Sequence, residues 1–379
     1  MTETRWRVPL SDVTVDDELV EAVLAVVRSG WWSMGPRVEE FEREFASFCG
    51  AEHAIAVANG TAALHLALLA VGCGPGDEVV VPSLNFVAAA NTIKHTGAEP
   101  VFCDIVGLED LNLDPADVEA AVSQETKAMI ILHYAGFPCD MAALDEIAKR
   151  HGIAVVEDAA HAPGASLGGR MCGTLGNVGC FSFFANKNLP VGEGGMLVTD
   201  DEELAVRLRL LRSHGMTTLT WDRHHGHASS YDVVLPGFNY RLDEVRAAVG
   251  IVQLRRLPEE NAGRARIAAR YREALDGQLG LIMPFGGDNL DRVPSHHLAV
   301  VLLPEGVDRE AVRSSLNESG IQTSVHYPPI HTFSAYRSEA GRPLPQTDAV
   351  AERLLTLPLY GRMTDEQADA VMEGLIQTL

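Results

Sequence analysis

The sequence has no long hydrophobic run and few basic residues. No stretch approaches the roughly 18 consecutive apolar residues that a membrane-spanning helix needs, and residues 1–7 contain no signal-peptide hydrophobic region. Lysine and arginine number 30 against 52 aspartate and glutamate residues, which gives a formal net charge of −22. Such a charge repels nucleic acid and anionic lipid at long range. We therefore expect a cytoplasmic protein that binds neither nucleic acid nor membrane.

Cysteine is scarce and scattered. The chain has six cysteines and no Cys-x-x-Cys motif, so we expect reduced, mostly buried side chains that pack as small hydrophobic groups. Three histidines lie close together, at His224, His225 and His227. They fall in a polar segment where no predicted helix or strand would fix their geometry, and we expect no metal site in this chain.

Short apolar runs alternate with helical patterns from residue 50 to about residue 200. The runs are uninterrupted, which is typical of strands buried on both faces of a sheet. This order predicts an α/β layered domain with a mainly parallel central sheet. We predict strands at 54–57, 78–81, 100–103, 128–132, 153–157, 180–183 and 196–199, with helices at 61–71 and 86–95.

The last third of the chain has a different pattern. Residues 244–274 are long-helical and charged, which predicts a connector helix that Pro258 breaks. Beyond it, segments 297–303, 309–318 and 322–325 predict a small α+β unit that a helix at 365–379 closes. The length of the chain suits one large domain and a smaller one. We predict a large domain at residues 1–250 and, at 251–379, the connector helix with a small C-terminal domain.

Lys187 lies between an apolar strand and a glycine-rich turn, within the stretch from Ser182 to Gly195. A lysine in a partly buried pocket has a lowered pKa, and its neutral amine can attack a carbonyl carbon. The alternative is a strand-end lysine that extends its charge to solvent. Asp158 follows an apolar strand and suits either a pyridinium partner or a helix cap. Together, a lysine and a carboxylate so placed indicate pyridoxal 5′-phosphate (PLP) chemistry, with a Schiff base on the lysine.

A phosphate site is the second requirement of that chemistry. Asn59, Gly60 and Thr61 open a predicted helix, where N–H groups and a hydroxyl can bind phosphate or where Asn59 or Thr61 simply caps the helix. Ser182 offers a second hydroxyl. Phe86 can lie flat on a pyridine ring, or it is a core side chain. Several of these residues fall at or near strand ends, so we expect one shared pocket beyond the carboxyl ends of the strands.

Taken together, these motifs resemble the nucleotide-sugar aminotransferases of the DegT/StrS type, a family of fold-type I PLP enzymes. The resemblance covers nearly the whole chain, with the motifs in family order at residues 30–36, 59–64, 82–87, 157–161, 182–195, 237–241 and 325–331. It implies the fold-type I architecture, in which a large domain with a mainly parallel sheet carries a smaller C-terminal α+β domain.

The resemblance implies a role for each cofactor contact. Lys187 would hold PLP and move the proton during catalysis, while Asp158 would keep the pyridine nitrogen protonated. Phe86 would stack on the ring, and His161, where many relatives have glutamine, would lie near the cofactor's 3-oxygen. The expected phosphate contacts are Gly60, Thr61 and Ser182 from one subunit and Asn239 from the other, which implies a homodimer with shared active sites, and Ala62 is a further expected cofactor contact.

The resemblance also implies a reaction in two halves. L-Glutamate would convert PLP to pyridoxamine 5′-phosphate (PMP) and leave as 2-oxoglutarate, and a keto-sugar nucleotide would then take the amine. The lysine at 187 argues against the dehydratase relatives, which carry histidine there. The expected substrate contacts are Trp32, Ser33, Met34, Asn186, Arg241, His326 and Tyr327. Residues 32–34 depart from the commoner leucine or isoleucine followed by two threonines.

The acceptor is the least determined part of the prediction. The loop at 328–331 lacks the longer spacing associated with 3-amino enzymes, which favours conversion of dTDP-4-keto-6-deoxyhexose to dTDP-4-amino-4,6-dideoxyhexose. A 3-keto-sugar nucleotide and a ketocyclitol are the alternative acceptors. A regulatory protein that keeps the fold without turnover is the alternative from another class, and intact Lys187 and Asp158 argue against it.

Overall fold

A seven-stranded sheet is the centre of the computed structural model, which describes residues 6–218, 230–287, 291–339 and 341–379. The strands within these residues are β1 (His53–Val57), β2 (Glu78–Pro82), β3 (Glu99–Cys103), β4 (Thr126–Leu132), β5 (Ala154–Asp158), β6 (Ser166–Leu167), β7 (Arg170–Met171), β8 (Val178–Ser182), β9 (Gly195–Thr199), β10 (Arg292–Val293), β11 (Ala299–Leu302) and β12 (Leu354–Leu357).

The central sheet is mainly parallel, as predicted. Its order is β1-β9-β8-β5-β4-β2-β3, and β9 alone runs against its two neighbours. The other neighbouring pairs are parallel. Each predicted strand of this sheet lies within two residues of the observed bounds. Two smaller sheets join β10 with β6 and β7, and β11 with β12.

The helices begin mostly at a side chain that caps their first turn. Asp16, Asn59, Asp140 and Asp243 each accept a backbone N–H two or three residues inside a helix. The helices are α1 (Asp17–Ser29), α2 (Pro36–Cys49), α3 (Gly60–Ala70), α4 (Ala88–Thr96), α5 (Pro115–Ala121), α6 (Met141–His151), α7 (Glu202–Arg212), α8 (Glu244–Leu275), α9 (Arg309–Glu318), α10 (Pro345–Arg353) and α11 (Asp365–Thr378).

Helices cover both faces of the central sheet. Because successive side chains of a strand point to opposite faces, Ile55 and Val57 of β1 pack with α3, α4 and α7, whereas Ala54 and Ala56 pack with α2 and α8. Farther along the sheet, β2, β4 and β5 pack with α5 and α6. This double covering explains why the strands are uninterrupted apolar runs.

The prediction that Pro258 breaks the connector helix is wrong. Helix α8 is 32 residues long and continues through Pro258 without a break. A proline inside a helix removes one hydrogen bond and costs about 3 kcal/mol. Both halves of α8 are anchored by buried side chains, Leu254 and Leu257 before the proline and Ile267 and Tyr271 after it. Packing at both ends therefore outweighs the local cost.

The C-terminal part of the chain forms its own hydrophobic core. Strands β11 and β12 and helices α9 and α11 pack against the second half of α8. The predicted helices at 309–318 and 365–379 are confirmed. Residues 322–325 form one isolated bridge, from Ser324 to Thr356, rather than a strand. The domain division at residue 250 stays a prediction, and α8 spans it.

Three further expectations concern single features. All six cysteines are free and buried, which confirms their predicted packing role. The histidine cluster at residues 224–227 lies outside the described residues, and within those residues no group of histidine, cysteine, aspartate and glutamate side chains is arranged to hold a metal. In the part of the chain that the structure describes, every helix is too short or too polar to cross a membrane.

Candidate active site

A cavity of about 450 Å³ lies at the carboxyl ends of β1, β2, β5 and β8. The expected shared pocket is therefore present. Of the residues predicted as site residues, those that line this cavity are Gly60, Thr61, Phe86, Asp158, His161, Ser182, Asn186, Lys187, His326 and Tyr327.

Lys187 lies in the loop between β8 and β9, where its backbone N–H donates to Phe184 O at 2.9 Å. Its Nζ is 3.4 Å from His297 Nε2. Burial lowers the pKa of Lys187 to about 8, although the negative charge of Asp158 opposes the shift. Lys187 is therefore partly neutral near physiological pH, as a nucleophile or a base must be.

Asp158 ends β5, in register with Leu132 of β4 and Cys180 of β8. Its side chain is 6% exposed, and Oδ1 accepts the N–H of Ala160 at 3.2 Å. Burial raises the pKa of this carboxyl group, while the Ala160 N–H and the charge of Lys187 lower it. Two neighbouring strands hold the backbone of Asp158, and its carboxylate faces the cavity beside the lysine.

Glu157 points away from the cavity and holds the same strand end. It is fully buried and accepts three backbone N–H groups from residues 173–176, at 2.5 to 2.6 Å. His133 Nδ1 accepts the N–H of Cys139 at 3.1 Å, so His133 Nε2 carries the hydrogen that reaches Glu157 at 2.8 Å. This network fixes the strand end from which Asp158 projects.

The start of α3 is both capped and open to an anion. Asn59 Oδ1 accepts the N–H of Ala62 at 2.8 Å, so the simple capping alternative is correct for Asn59. The N–H groups of Gly60 and Thr61, which line the cavity, stay available to an anion. A Cβ on Gly60 would lie 2.7 Å from Ser182 Cβ. Only glycine therefore allows α3 to approach Ser182 this closely.

An aromatic group covers one side of the cavity. Phe86 is 53% exposed, so the core alternative is wrong. Its ring lies 5.7 Å from that of Tyr327. The Tyr327 hydroxyl is 2.8 Å from His161 Nε2, and these two rings are nearly parallel, at 25°. The Phe86 ring is tilted by 50° from that of Tyr327, so it offers a face of its own on which a planar ring can stack.

Three buried polar atoms of residues that line the cavity have no hydrogen-bond partner within the described residues. One is Nδ2 of Asn85, whose side chain lies beside the Asp158 carboxyl group, and the other two are His161 Nδ1 and Asn186 Oδ1. Burial lowers the pKa of His161 well below its usual range, with the charge of Lys187 adding to the effect. Since buried polar atoms are rarely left unpaired, the atoms of His161 and Asn186 indicate contacts to a bound ligand.

The other predicted site residues lie outside the cavity of their own chain. Ala62 is buried, and its N–H is already bonded. Asn239 is exposed and Arg241 half-buried. Trp32 and Ser33 are exposed, whereas Met34 packs in the core with α2. The roles of these six residues stay predictions.

Two residues near the lysine were not predicted from the sequence. His297 approaches Lys187, and His297 Nδ1 lies 2.9 Å from Asn188 Oδ1. Asn188 is the next residue after Lys187. The available signal for His297 was a histidine at the start of an apolar run, a position that a strand would bury.

Comparison with known proteins agrees with this geometry. The model of the DegT/DnrJ/EryC1/StrS aminotransferase family matches residues 13–376. The spore coat polysaccharide biosynthesis protein SpsC of Bacillus subtilis (strain 168) is 44% identical over 375 residues, which are 97% of this chain and 96% of SpsC.

Solved structures give the same result. The aminotransferase TlmJ from Streptoalloteichus hindustanus is 38% identical with a TM-score of 0.91, and the match covers 98% of each chain. DesV from S. venezuelae, solved in complex with a ketimine intermediate, is 39% identical with a TM-score of 0.87, over 95% of this chain and 94% of DesV. Spr1654 from Streptococcus pneumoniae, which is 29% identical to this chain, has been solved in a PLP form and a PMP form.

Proposed function

This chain belongs to the DegT/DnrJ/EryC1/StrS aminotransferase family and is a PLP-dependent sugar aminotransferase. We propose that it transfers the amino group of L-glutamate to a keto-sugar nucleotide. The proposed acceptor is dTDP-4-keto-6-deoxyhexose, and the product is dTDP-4-amino-4,6-dideoxyhexose. The observation that carries the proposal is a lysine with a lowered pKa beside a buried carboxylate in one cavity.

The residues of the cavity fit PLP. Because Gly60 has no side chain, the N-terminus of α3 lies close to Ser182 and its N–H groups are open to the phosphate. The unpartnered His161 Nδ1 suits the 3-oxygen, and Phe86 offers a face for the ring. Asp158 supplies the carboxylate that a protonated ring nitrogen requires. Bound PLP supplies an electron sink and carries the amine between the two substrates.

Lys187 and Asp158 have distinct tasks in this proposal. With a pKa of about 8, the Lys187 amine would take a proton from the substrate carbon and deliver it to C4′ of the cofactor, and it would move a proton in the reverse direction in the other half-reaction. The charge of Lys187 favours the ionised form of Asp158, which would accept a hydrogen bond from the ring N–H of bound PLP and so keep the ring nitrogen protonated.

His326 and Tyr327 are the proposed sugar contacts within the same chain. His326 Nδ1 lies 3.1 Å from Thr356 Oγ1, which orients the ring. Burial, with the charge of Lys187, lowers the pKa of His326 to about 4. A neutral histidine offers hydrogen bonds to a sugar hydroxyl without placing a second positive charge beside the lysine. The preference for C4 rests on the short loop at 328–331.

A homodimer with shared sites is the proposed assembly. Among the described residues that line the cavity, Lys187 is the one lysine or arginine, yet PLP, glutamate and a sugar nucleotide are all anions. The exposed Asn239 lies outside the cavity of its own chain. A second copy that contributes Asn239, with Arg241 nearby, would supply the missing donors.

Single-turnover kinetics of the PMP form tests the proposal. We expect a 4-keto dTDP-sugar to restore the yellow absorbance of PLP fastest among 3-keto and 4-keto sugars carried on dTDP and UDP. Reaction with 3-keto sugars alone would overturn the C4 assignment. No reaction with any sugar nucleotide would overturn the acceptor class. Lys187→Ala is the control, since it should bind PMP and show no turnover.

A further inference from the structure

A chain of hydrogen bonds leads from two backbone carbonyls to Lys187. Asn261 of α8 donates from Nδ2 to Pro163 O at 2.9 Å. Asn188 donates from Nδ2 to Asn261 Oδ1 and to Ser295 O, both at 2.8 Å. The chain continues through His297 to Lys187.

The direction of every bond in this chain is fixed. A backbone carbonyl only accepts hydrogen bonds, so Pro163 O and Ser295 O require the amide nitrogens of Asn261 and Asn188 to face them. Asn188 Oδ1 is then the atom that faces His297 Nδ1. Because that oxygen only accepts, His297 Nδ1 must carry the ring hydrogen. In a neutral ring, Nε2 is then a bare acceptor.

The environment keeps His297 neutral. Its side chain is 4% exposed, and burial, with the positive charge of Lys187, lowers its pKa well below the usual range. The titratable groups around the lysine are His161, His297, His326, Tyr327, Asp158 and the exposed Glu193. Asp158 is the buried carboxyl group among them, and His297 Nε2 lies 3.4 Å from Nζ.

We propose that His297 is a positioning residue that accepts a hydrogen bond from the Lys187 amine and holds it in the cavity whenever it is not bonded to the cofactor, with Asn188 fixing the required tautomer. The inference rests on the proposed role of Lys187 as the cofactor-bonding residue. An acceptor stabilises the charged lysine more than the neutral one, so His297 opposes the effect of burial on the pKa of Lys187.

Two substitutions of His297 test the contacts of its two ring nitrogens separately. His297→Asn keeps a donor for Asn188 but removes the acceptor that reaches Lys187. His297→Gln keeps a terminal amide oxygen at the distance of Nε2. We expect the pKa of Lys187 in the PMP form to fall by about 0.5 in His297→Asn, with labelling about threefold faster at pH 7. His297→Gln should stay close to the unaltered protein.

Competitive acylation with mass-spectrometric readout measures this pKa without turnover. The chain has only four lysines, Lys94, Lys127, Lys149 and Lys187, so three serve as internal standards. Equal pKa values of Lys187 in both variants and the unaltered protein would overturn the inference. Borohydride reduction of the PLP form tests the proposed role of Lys187 separately. If the reduced PLP is found on another lysine, the proposed role of Lys187 is overturned.

The tautomer can be measured without relying on either variant. Nitrogen-15 NMR of the histidine rings in the PMP form should show the Nδ1–H tautomer for His297, with the signal assigned by its loss from His297→Gln. If His297→Asn fails to fold, this result alone supports or overturns the inference. A ring that carries its hydrogen on Nε2, or on both nitrogens at pH 7, would contradict it.

Discussion

Burial acts in opposite directions on the two charged residues at the centre of the cavity. It lowers the pKa of Lys187 to about 8 from its ordinary 10.5, whereas it raises that of Asp158. Each charge partly offsets the shift of the other. The pair is therefore poised between an ion pair and a neutral amine, and a small change in surroundings can move the proton of Lys187.

The neutral fraction of Lys187 depends on pH. Below the pKa of about 8, Lys187 is mostly an ammonium ion that cannot attack PLP. The rate at which the cofactor-free chain bonds PLP should therefore rise about fivefold from pH 7 to pH 8 and less than twofold from pH 8 to pH 9. Stopped-flow absorbance measures these rates. A rise that continues tenfold per unit through pH 10 would indicate an ordinary, solvated lysine.

The sequence predicted individual site residues where their chemistry is local. Lys187 in a glycine-rich turn and Asp158 after an apolar strand carry their signals in adjacent residues. His297 does not, since its partner Lys187 is 110 residues away. The reach of Phe86 into the cavity was likewise ambiguous, because solvent exposure depends on the loops that pack around it.

At the scale of elements, the N-terminus of α3 is the proposed anion site, and its fit depends on Gly60. A methyl group there would lie 2.7 Å from Ser182 Cβ and 3.1 Å from Ser182 Oγ. We expect Gly60→Ala to weaken PLP binding about tenfold, since the strain of the added carbon costs about 1 to 3 kcal/mol.

Equilibrium titration with PLP measures this loss. Gly74→Ala is the matched control, because a Cβ at Gly74 meets nothing within 4 Å. Equal affinity in the two variants would show that the close approach of α3 to Ser182 has no part in binding PLP.

Helix α8 carries a proline that packing overrides. Pro258 is exposed and lacks the N–H that would reach Leu254 O. Pro258→Ala should restore that hydrogen bond and raise the free energy of unfolding by about 1 kcal/mol, less than the full proline penalty because the unfolded chain gains freedom. Denaturant unfolding measures the change, with the exposed neighbour Glu259→Ala as control. A lower stability in Pro258→Ala would be the contrary result.

Sequence patterns predicted most helices and strands but wrongly placed a break in helix α8 at Pro258. Uninterrupted apolar runs located the strands because both faces of the sheet are covered. The continuation of α8 through Pro258 could not be read locally, since it depends on Ile267 and Tyr271 packing against β11, β12 and α11. The same holds for residues 322–325, which form one isolated bridge, from Ser324 to Thr356, instead of a strand.

At the scale of the whole molecule, charge is the main constraint. A net charge of −22 disfavours an anionic substrate at long range. The cavity must therefore bind its ligands through local donors, which are the start of α3, Lys187 and, in the proposed dimer, groups of the second copy. This requirement connects the composition of the chain with its proposed assembly.

Subunit mixing tests the shared site. Lys187→Ala and Asn239→Ala proteins should each be impaired, and their mixture should recover up to about a quarter of full activity after subunit exchange, because half the dimers then hold one intact site. Exchange is checked with differently tagged chains. No recovery in fully exchanged dimers would mean that each site draws on one chain alone.

Tracing the transferred nitrogen tests the proposed reaction of this chain. The complete enzyme is incubated with L-glutamate labelled with nitrogen-15 and dTDP-4-keto-6-deoxyhexose, and the product is examined by NMR. We predict that the label is bonded to C4 of the sugar, and that Lys187→Ala yields no labelled sugar. A product without the label, or one with the label at another carbon, would show that the chain does not catalyse this transfer.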